Sequence, residues 1–197
     1  VLNTGESGVG KELIARALPD ASRRSRGPFI AVNCGAFADT LVESELFGHA
    51  RGAFTGAVQD RPGLFETAHG GTLFLDEIGE TSLRMQALLL RFLETGDIQR
   101  VGADRQQTRL AVRMLAASNR DLLDRIKEGA FRLDLYYRLN VVHLKVPPLR
   151  DRREDVPVLL QSFLEACASK ERVPVPTVGP EALALLQRYN WPGNVRE

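Results

Sequence analysis

An α/β fold built on a five-stranded parallel sheet is what this sequence predicts, and three observations carry it. Short apolar runs alternate with helix-like segments along the first three quarters of the chain, the pattern of strands joined by crossover helices. Three of those runs, Thr72 to Asp76, Val112 to Ser118 and Val141 to Val146, are apolar nearly throughout, as strands covered on both faces must be. The glycine-rich stretch GESGVGKE, Gly5 to Glu12, sits between the first run and the first helical pattern, where a sheet edge meets a helix N-terminus.

Taken in order, the strands are expected at Val1 to Thr4, Phe29 to Asn33, Thr72 to Asp76, Val112 to Ser118 and Val141 to Val146. Helices are expected at Lys11 to Leu18, Leu83 to Glu94 and Leu122 to Glu128; in the second, Leu83, Ala87, Leu90 and Leu93 share one face. Pro147 and Pro148 then break regular structure, and the pattern becomes wholly helical, with Val156 to Ser169 and Glu181 to Tyr189 joined by VPVPTVGP. The expected division is an α/β core over 1–147 and a small helical subdomain over 148–197.

Composition narrows the class. The 197 residues are 44% hydrophobic and carry a formal net charge of +1, enough for a sizeable core and too balanced for a bulk drive toward nucleic acid or membrane. The arginines of SRRSR and LRDRRED, residues 22–26 and 149–155, read as solvated faces. Cys34 and Cys167 lack metal-ligand spacing and are too few for a disulfide framework. These features, with no long apolar run, point to a cytoplasmic protein without membrane contact. Val1 begins inside a strand and Glu197 stops as a helix starts, so the expectation is a piece of a longer chain.

Four groups of residues carry chemistry. In Gly5, Glu6, Ser7, Gly8, Val9, Gly10, Lys11 and Glu12, successive backbone N–H groups would cradle an anion while Lys11 neutralises outer phosphates; Glu12 stands where a phosphate loop usually has a magnesium-binding hydroxyl. Asp76 and Glu77 close the third strand, where ligands of parallel sheets bind: Asp76 suits magnesium, and Glu77 suits deprotonation of an attacking water. Asn33 and Asn119 end strands at the same edge. Arg132 and Arg138 lie six apart in FRLDLYYRLN, on different faces if that segment is helical. Between these clusters lies ELFGHARGAFTGA, Glu45 to Ala57, which has no nucleotide chemistry of its own.

Together GESGVGKE, ELFGHARGAFTGA, GGTLFLDEIGE, FRLDLYYRLNV and WPGNVRE closely resemble the AAA+ domain of bacterial enhancer-binding proteins, the activators of sigma-54 RNA polymerase, over essentially the whole chain. The resemblance implies an AAA+ P-loop NTPase: a five-stranded parallel sheet with helices on both faces and a helical lid, assembled as a ring, usually a hexamer, with ATP and Mg at subunit interfaces. It makes Glu12 the family's normal residue. It gives metal binding to Asp76, water activation to Glu77, a switch on Glu77 to Asn33, and a first sensor to Ser118 and Asn119. Arg132 and Arg138 would serve the neighbouring subunit, and Arg196 would contact the nucleotide from the lid. Gly52, Ala53, Phe54, Thr55, Gly56 and Ala57 become the tip of a loop inserted in a helix and raised toward sigma-54. Enhancer DNA would be bound only through a domain absent here. Asn3 and Pro19 look unusual for the family. The competing reading is a regulatory module that binds nucleotide and changes shape without productive hydrolysis; Glu77 and the two arginines argue against it.

Overall fold

A computed structural model describes residues 1–36, 39–103 and 107–197. The chain forms two compact units, one of Val1–Thr4 and Lys11–Lys145, the other of Gly5–Gly10 and Val146–Glu197.

The first unit runs β1 (Leu2–Thr4), α1 (Lys11–Asp20), β2 (Phe29–Asn33), α2 (Asp39–Phe47), β3 (Gly48–His49), β4 (Arg61–Pro62), α3 (Leu64–Thr67), β5 (Thr72–Asp76), α4 (Leu83–Thr95), β6 (Asp97–Gln99), β7 (Gln107–Arg109), β8 (Arg113–Ser118), α5 (Leu122–Lys127), α6 (Leu133–Leu139) and β9 (His143–Lys145). Five strands form one sheet in the order β2-β5-β8-β1-β9, every pairing parallel. All five expected strands are present: Phe29–Asn33 and Thr72–Asp76 match at both ends, and the other three are shorter by one to three residues. The β3–β4 and β6–β7 hairpins are additions the sequence did not announce.

Side-chain alternation on the central strands sorts the core onto two faces. Phe74, Leu115 and Ala117 pack with Ala15 of α1 on one side. Leu73, Leu75, Met114 and Ala116 join the larger cluster on the other, with Leu46 of α2, Leu89 of α4, Leu122 of α5 and Leu135 of α6. Helices therefore cover both faces. The strand β5 is buried along TLFL and emerges only at Asp76, which is why it reads as a continuous apolar run.

Helix α4 shows how local chemistry sets an element's limits. Ser82 caps its start by accepting from the Met85 amide at 3.3 Å, and Gly96, at φ 75°, takes the left-handed turn that ends it. Within it, the buried Gln86 donates to the carbonyls of Thr81 (2.8 Å) and Ala130 (3.0 Å) and accepts from the Arg132 amide (2.8 Å). One side chain thus satisfies the backbone entering α6 and fixes where Arg132 begins that helix. Pro19 lies buried in the last turn of α1, where it removes the backbone donor that would otherwise bond to the Ala15 carbonyl.

The second unit holds α7 (Val156–Glu171), α8 (Pro180–Arg188) and a closing turn at Asn194–Arg196. Both helices begin with proline in their first turn, a position that needs no N–H donor. Among Leu149, Leu160, Phe163, Leu186 and Trp191 they enclose a cavity of about 210 Å³.

Gln86→Leu leaves three backbone groups, one buried and two part-buried, without this partner, and a buried group left so costs about 1–3 kcal/mol. The variant is expected to lose at least about 2 kcal/mol of unfolding free energy, read as a lower urea midpoint at unchanged slope.

Candidate nucleotide site and loop

Parallel pairing in register brings the functional strand ends to one edge. Asn33 of β2 is level with Asp76 of β5, and Thr4 of β1 is level with Ser118 of β8. Lys11, 8% exposed, opens α1. Burial raises the Asp76 carboxyl above the ordinary carboxylate range, and the charges of Glu77 and Glu12 push the same way, against the Glu77 amide and the Lys11 ammonium. A desolvated acid beside two others is one that a divalent cation would relieve. Among the described residues, no group of three or more His, Cys, Asp or Glu side chains is placed to hold a metal alone. Magnesium is commonly held by one or two carboxylates together with substrate phosphates and water.

Glu77 has left-handed backbone, φ 55° and ψ 42°, a conformation uncommon for residues other than glycine. Its amide donates to Asp76 Oδ1 at 3.0 Å, and its carbonyl accepts from Glu80 at 2.9 Å. The turn aims its carboxylate back at β2. A Cβ placed on Gly35 would stand 2.6 Å from Glu77 Oε2 and 3.4 Å from Asn33 Oδ1, so both side chains converge on Gly35. Asn33 Oδ1 accepts from the Gly35 amide at 2.8 Å. Cys34 between them is buried, and burial with the Asp76 and Glu77 charges pushes its thiol up to about 12, keeping it protonated. Ser118, 1% exposed, uses its hydroxyl on the Arg120 backbone (2.8 and 3.1 Å), while Asn119 is exposed.

The arginines of α6 differ in setting. Arg132 precedes the helix and grips Asp134 through two hydrogen bonds of 3.0 and 2.6 Å. Arg138 is exposed on the last turn.

In the second unit, the glycine-rich loop is held from behind. Arg150 forms a forked pair with Glu6, and Asn194 donates to Glu6 Oε2 (3.2 Å) and the Ser7 carbonyl (3.0 Å). Together they lower the Glu6 carboxyl to about 2, the Arg150 hydrogen bond contributing most. Arg152 donates to the Val9 carbonyl at 2.8 Å, Val195 N–H to the Gly8 carbonyl at 3.0 Å, and Arg196 to Ser7 Oγ at 3.2 Å. Gly8 (φ 79°) must be glycine on two counts, since a Cβ there would also meet the Gly193 carbonyl oxygen at 2.2 Å. The LRDRRED arginines are therefore not simply a solvated face. Arg24 of the other cluster likewise donates to the carbonyls of Gly71 and Ala111. Both departures have one cause: the acceptors are backbone or side-chain oxygens remote in sequence. Arg150, Arg152 and Asn194 were missed as residues of the site for that reason.

The segment Gly52–Ala57 projects from the β3–β4 hairpin, which stands between α2 and α3. Gly52 N–H donates to the Ala57 carbonyl at 2.8 Å and Ala57 N–H to the Phe54 carbonyl at 3.0 Å, closing a small ring. Both Gly52 and Gly56 have positive φ, 81° and 104°. Phe54 is 43% exposed and rests edge-on against His49, ring centres 5.0 Å apart; His49 is in turn bonded to Ser44 of α2 at 2.8 Å. The base is stitched to the β6–β7 hairpin by Ala50 N–H to Val101 O and Val101 N–H to Gly48 O, both 2.9 Å, and by the forked Arg100–Glu66 pair at 2.9 Å.

The model of the sigma-54 interaction domain matches residues 1–145, and that of the AAA+ ATPase lid domain matches residues 150–197. The chain belongs to the sigma-54 interaction domain family. It is 55% identical to the regulatory protein AtoC of Escherichia coli and 53% identical to the Nif-specific regulatory protein of Herbaspirillum seropedicae, in each case over its full 197 residues. It spans 42% and 36% of those two relatives. The crystal structure of NtrX from Brucella abortus in complex with ADP matches 99% of this chain and 42% of its own, with a TM-score of 0.91 and 39% identity; the ATP complex of that protein matches equally well. This is the AAA+ P-loop fold of sigma-54-type transcription regulators. No helix among the described residues is long and apolar enough to cross a membrane.

The Glu6–Arg150 pair sets a pH dependence. Glu6 is lowered in the folded state from 4.5 to about 2, so its contribution is full above the unfolded value and disappears as pH falls through the folded one. Arg150→Met should lower Tm at neutral pH, and the difference from wild type should shrink between pH 4.5 and pH 2; a difference constant across that range would contradict the pairing.

Proposed function

We propose that this domain is a magnesium-dependent ATPase that drives its Gly52–Ala57 loop against sigma-54 RNA polymerase. The observation that carries the reading is the convergence of Glu77 and Asn33 on Gly35, at the end of the buried strand that also presents Asp76 to Lys11. The ADP and ATP complexes of NtrX support the choice of nucleotide.

Gly5, Glu6, Ser7, Gly8, Val9 and Gly10 would surround the phosphates with backbone donors. Lys11, the next residue, would neutralise the outer phosphate, with Glu12 beginning the helix behind it. Asp76 would hold magnesium, which supplies neutralisation of phosphate charge when bound. The Glu77 carboxylate takes a proton from water as the water oxygen bonds to the γ-phosphorus; the bond to the β–γ bridging oxygen breaks, and ADP carries away the electron pair. Asn33 holds Glu77 in a resting position through the shared turn at Gly35. Ser118 and Asn119 report phosphate occupancy from β8, and Arg196 does so from the lid.

Arg138, exposed on α6, is the better placed of the two arginines to reach a second copy, whereas Arg132 must first leave Asp134. Such a group supplied in trans typically speeds phosphoryl transfer by about 10³–10⁵, which makes a ring, a hexamer in this reading, the active form. The exposed Phe54 with Thr55 is the contact offered to sigma-54, and Ala53, Ala57 and the two glycines leave those side chains room. The setting is the bacterial cytoplasm, with enhancer DNA held by another part of the protein.

In the full-length protein, Glu77→Gln should bind ATP normally and hydrolyse it about 10²–10⁴-fold more slowly; loss of binding instead would count against its role as base. Thr55→Ala should leave turnover largely intact and abolish open-complex formation, and loss of both together would sink the separation of motor and contact. Mixed oligomers of Arg138→Ala with Lys11→Ala should regain turnover that neither variant shows alone. If verified mixed oligomers stay inactive, the arginine does not act across the interface.

A further inference from the structure

The strand β1, paired on both sides within the sheet, contains a residue that its surroundings do not call for. Asn3 is 3% exposed, and its neighbours in register are Ala117 of β8 and Leu144 of β9. Leu2 before it enters the large apolar cluster, so Asn3 faces the opposite side of the sheet, the side of α1. There its Nδ2 donates to the carbonyl of Lys11 at 3.0 Å. Its Oδ1 is buried without a hydrogen-bond partner among the described residues.

Such an arrangement is costly for the fold. A buried amide oxygen left unpaired carries the full penalty of desolvation. Nor does Lys11 require the bond, because the carbonyl of a first helical residue already accepts from the amide four residues on. An apolar residue at position 3 would satisfy the strand better.

What the bond does accomplish is local. It ties the backbone of Lys11 itself to the sheet, at the residue where the glycine-rich loop becomes helix α1. We infer that Asn3 is a positioning residue for Lys11: it fixes the first turn of α1 against β1 so that the ammonium group and the helix N-terminus are presented to phosphate in one setting. This rests on the reading of Lys11 as a phosphate-binding residue. Stability is sacrificed here for placement, a trade found at functional sites.

The two effects have opposite signs, which separates positioning from ordinary structural support. In the full-length protein, Asn3→Leu removes both the orphaned oxygen and the tether. Its Tm without nucleotide should rise by about 2–6 °C, while the calorimetric Kd for ADP should weaken by about 2–10-fold. A variant merely damaged in folding would lose both together. Unchanged ADP affinity would overturn the inference, whatever the Tm. If Asn3→Leu does not fold, Asn3→Ala is measured the same way, with weaker binding again expected and wild-type binding again decisive against it. Lys11→Ala serves as the reference: ADP binding equal to wild type there would bring down the phosphate-site reading and this inference with it. Loss in Lys11→Ala with none in either Asn3 variant would overturn the inference alone.

Discussion

The in-register pairing of β5 between β2 and β8 is the constraint on which the rest of the first unit depends. TLFL is buried, so its side chains must be covered on both faces, by α1 on one side and by α2, α4, α5 and α6 on the other. Register then leaves no freedom at the strand ends. With Leu75 level with Ala116 and Asp76 level with Asn33, the polar residues can only emerge at one edge. A slip of one residue would turn every core side chain to the wrong face, so the apolar packing itself specifies where the carboxylates stand.

A second arrangement is layered on that frame. Glu77 adopts left-handed backbone immediately beyond the sheet, and the turn redirects its carboxylate toward the end of the neighbouring strand. In the second unit the glycine-rich loop is held by Arg150, Arg152 and Asn194. The loop is thereby anchored by groups at and near the closing turn Asn194–Arg196.

Much of this was legible in the sequence where burial leaves a pattern. The strand Thr72–Asp76 was readable because covering both faces makes it nearly continuously apolar, and α4 was readable as a helix because its apolar residues recur at helical spacing, although the face it buries is Met85, Gln86, Leu89 and Phe92 rather than the expected stripe, of which Leu83 and Ala87 are exposed. Helix α2 was not, since in DTLVESELF polar and apolar residues spread around the helix without a clear stripe. The two-residue strands β3 and β4 are too short to carry any periodicity. Glu77 was identifiable as a candidate from its place after Asp76, but nothing in DEIG signals positive φ. The roles of Arg150 and Asn194 were hidden for a simpler reason: their acceptors on Glu6 and Ser7 lie 144 and 187 or more residues away in the chain. The family motif suggested a loop that moves; the structure adds that its tip is fastened by Gly52–Ala57 and Ala57–Phe54 backbone bonds and by the edge-on contact of Phe54 with His49.

For the proposed function, nucleotide chemistry at the sheet edge has to free that loop from these fastenings. Hydrogen exchange at the Gly52 and Ala57 amides tests it most directly, in full-length Glu77→Gln protein that holds ATP without consuming it. Exchange at both amides is expected to be faster with ATP and magnesium than with ADP, while the amides of β5 stay equally protected in the two states. Identical exchange of the loop amides in both nucleotide states would contradict the account.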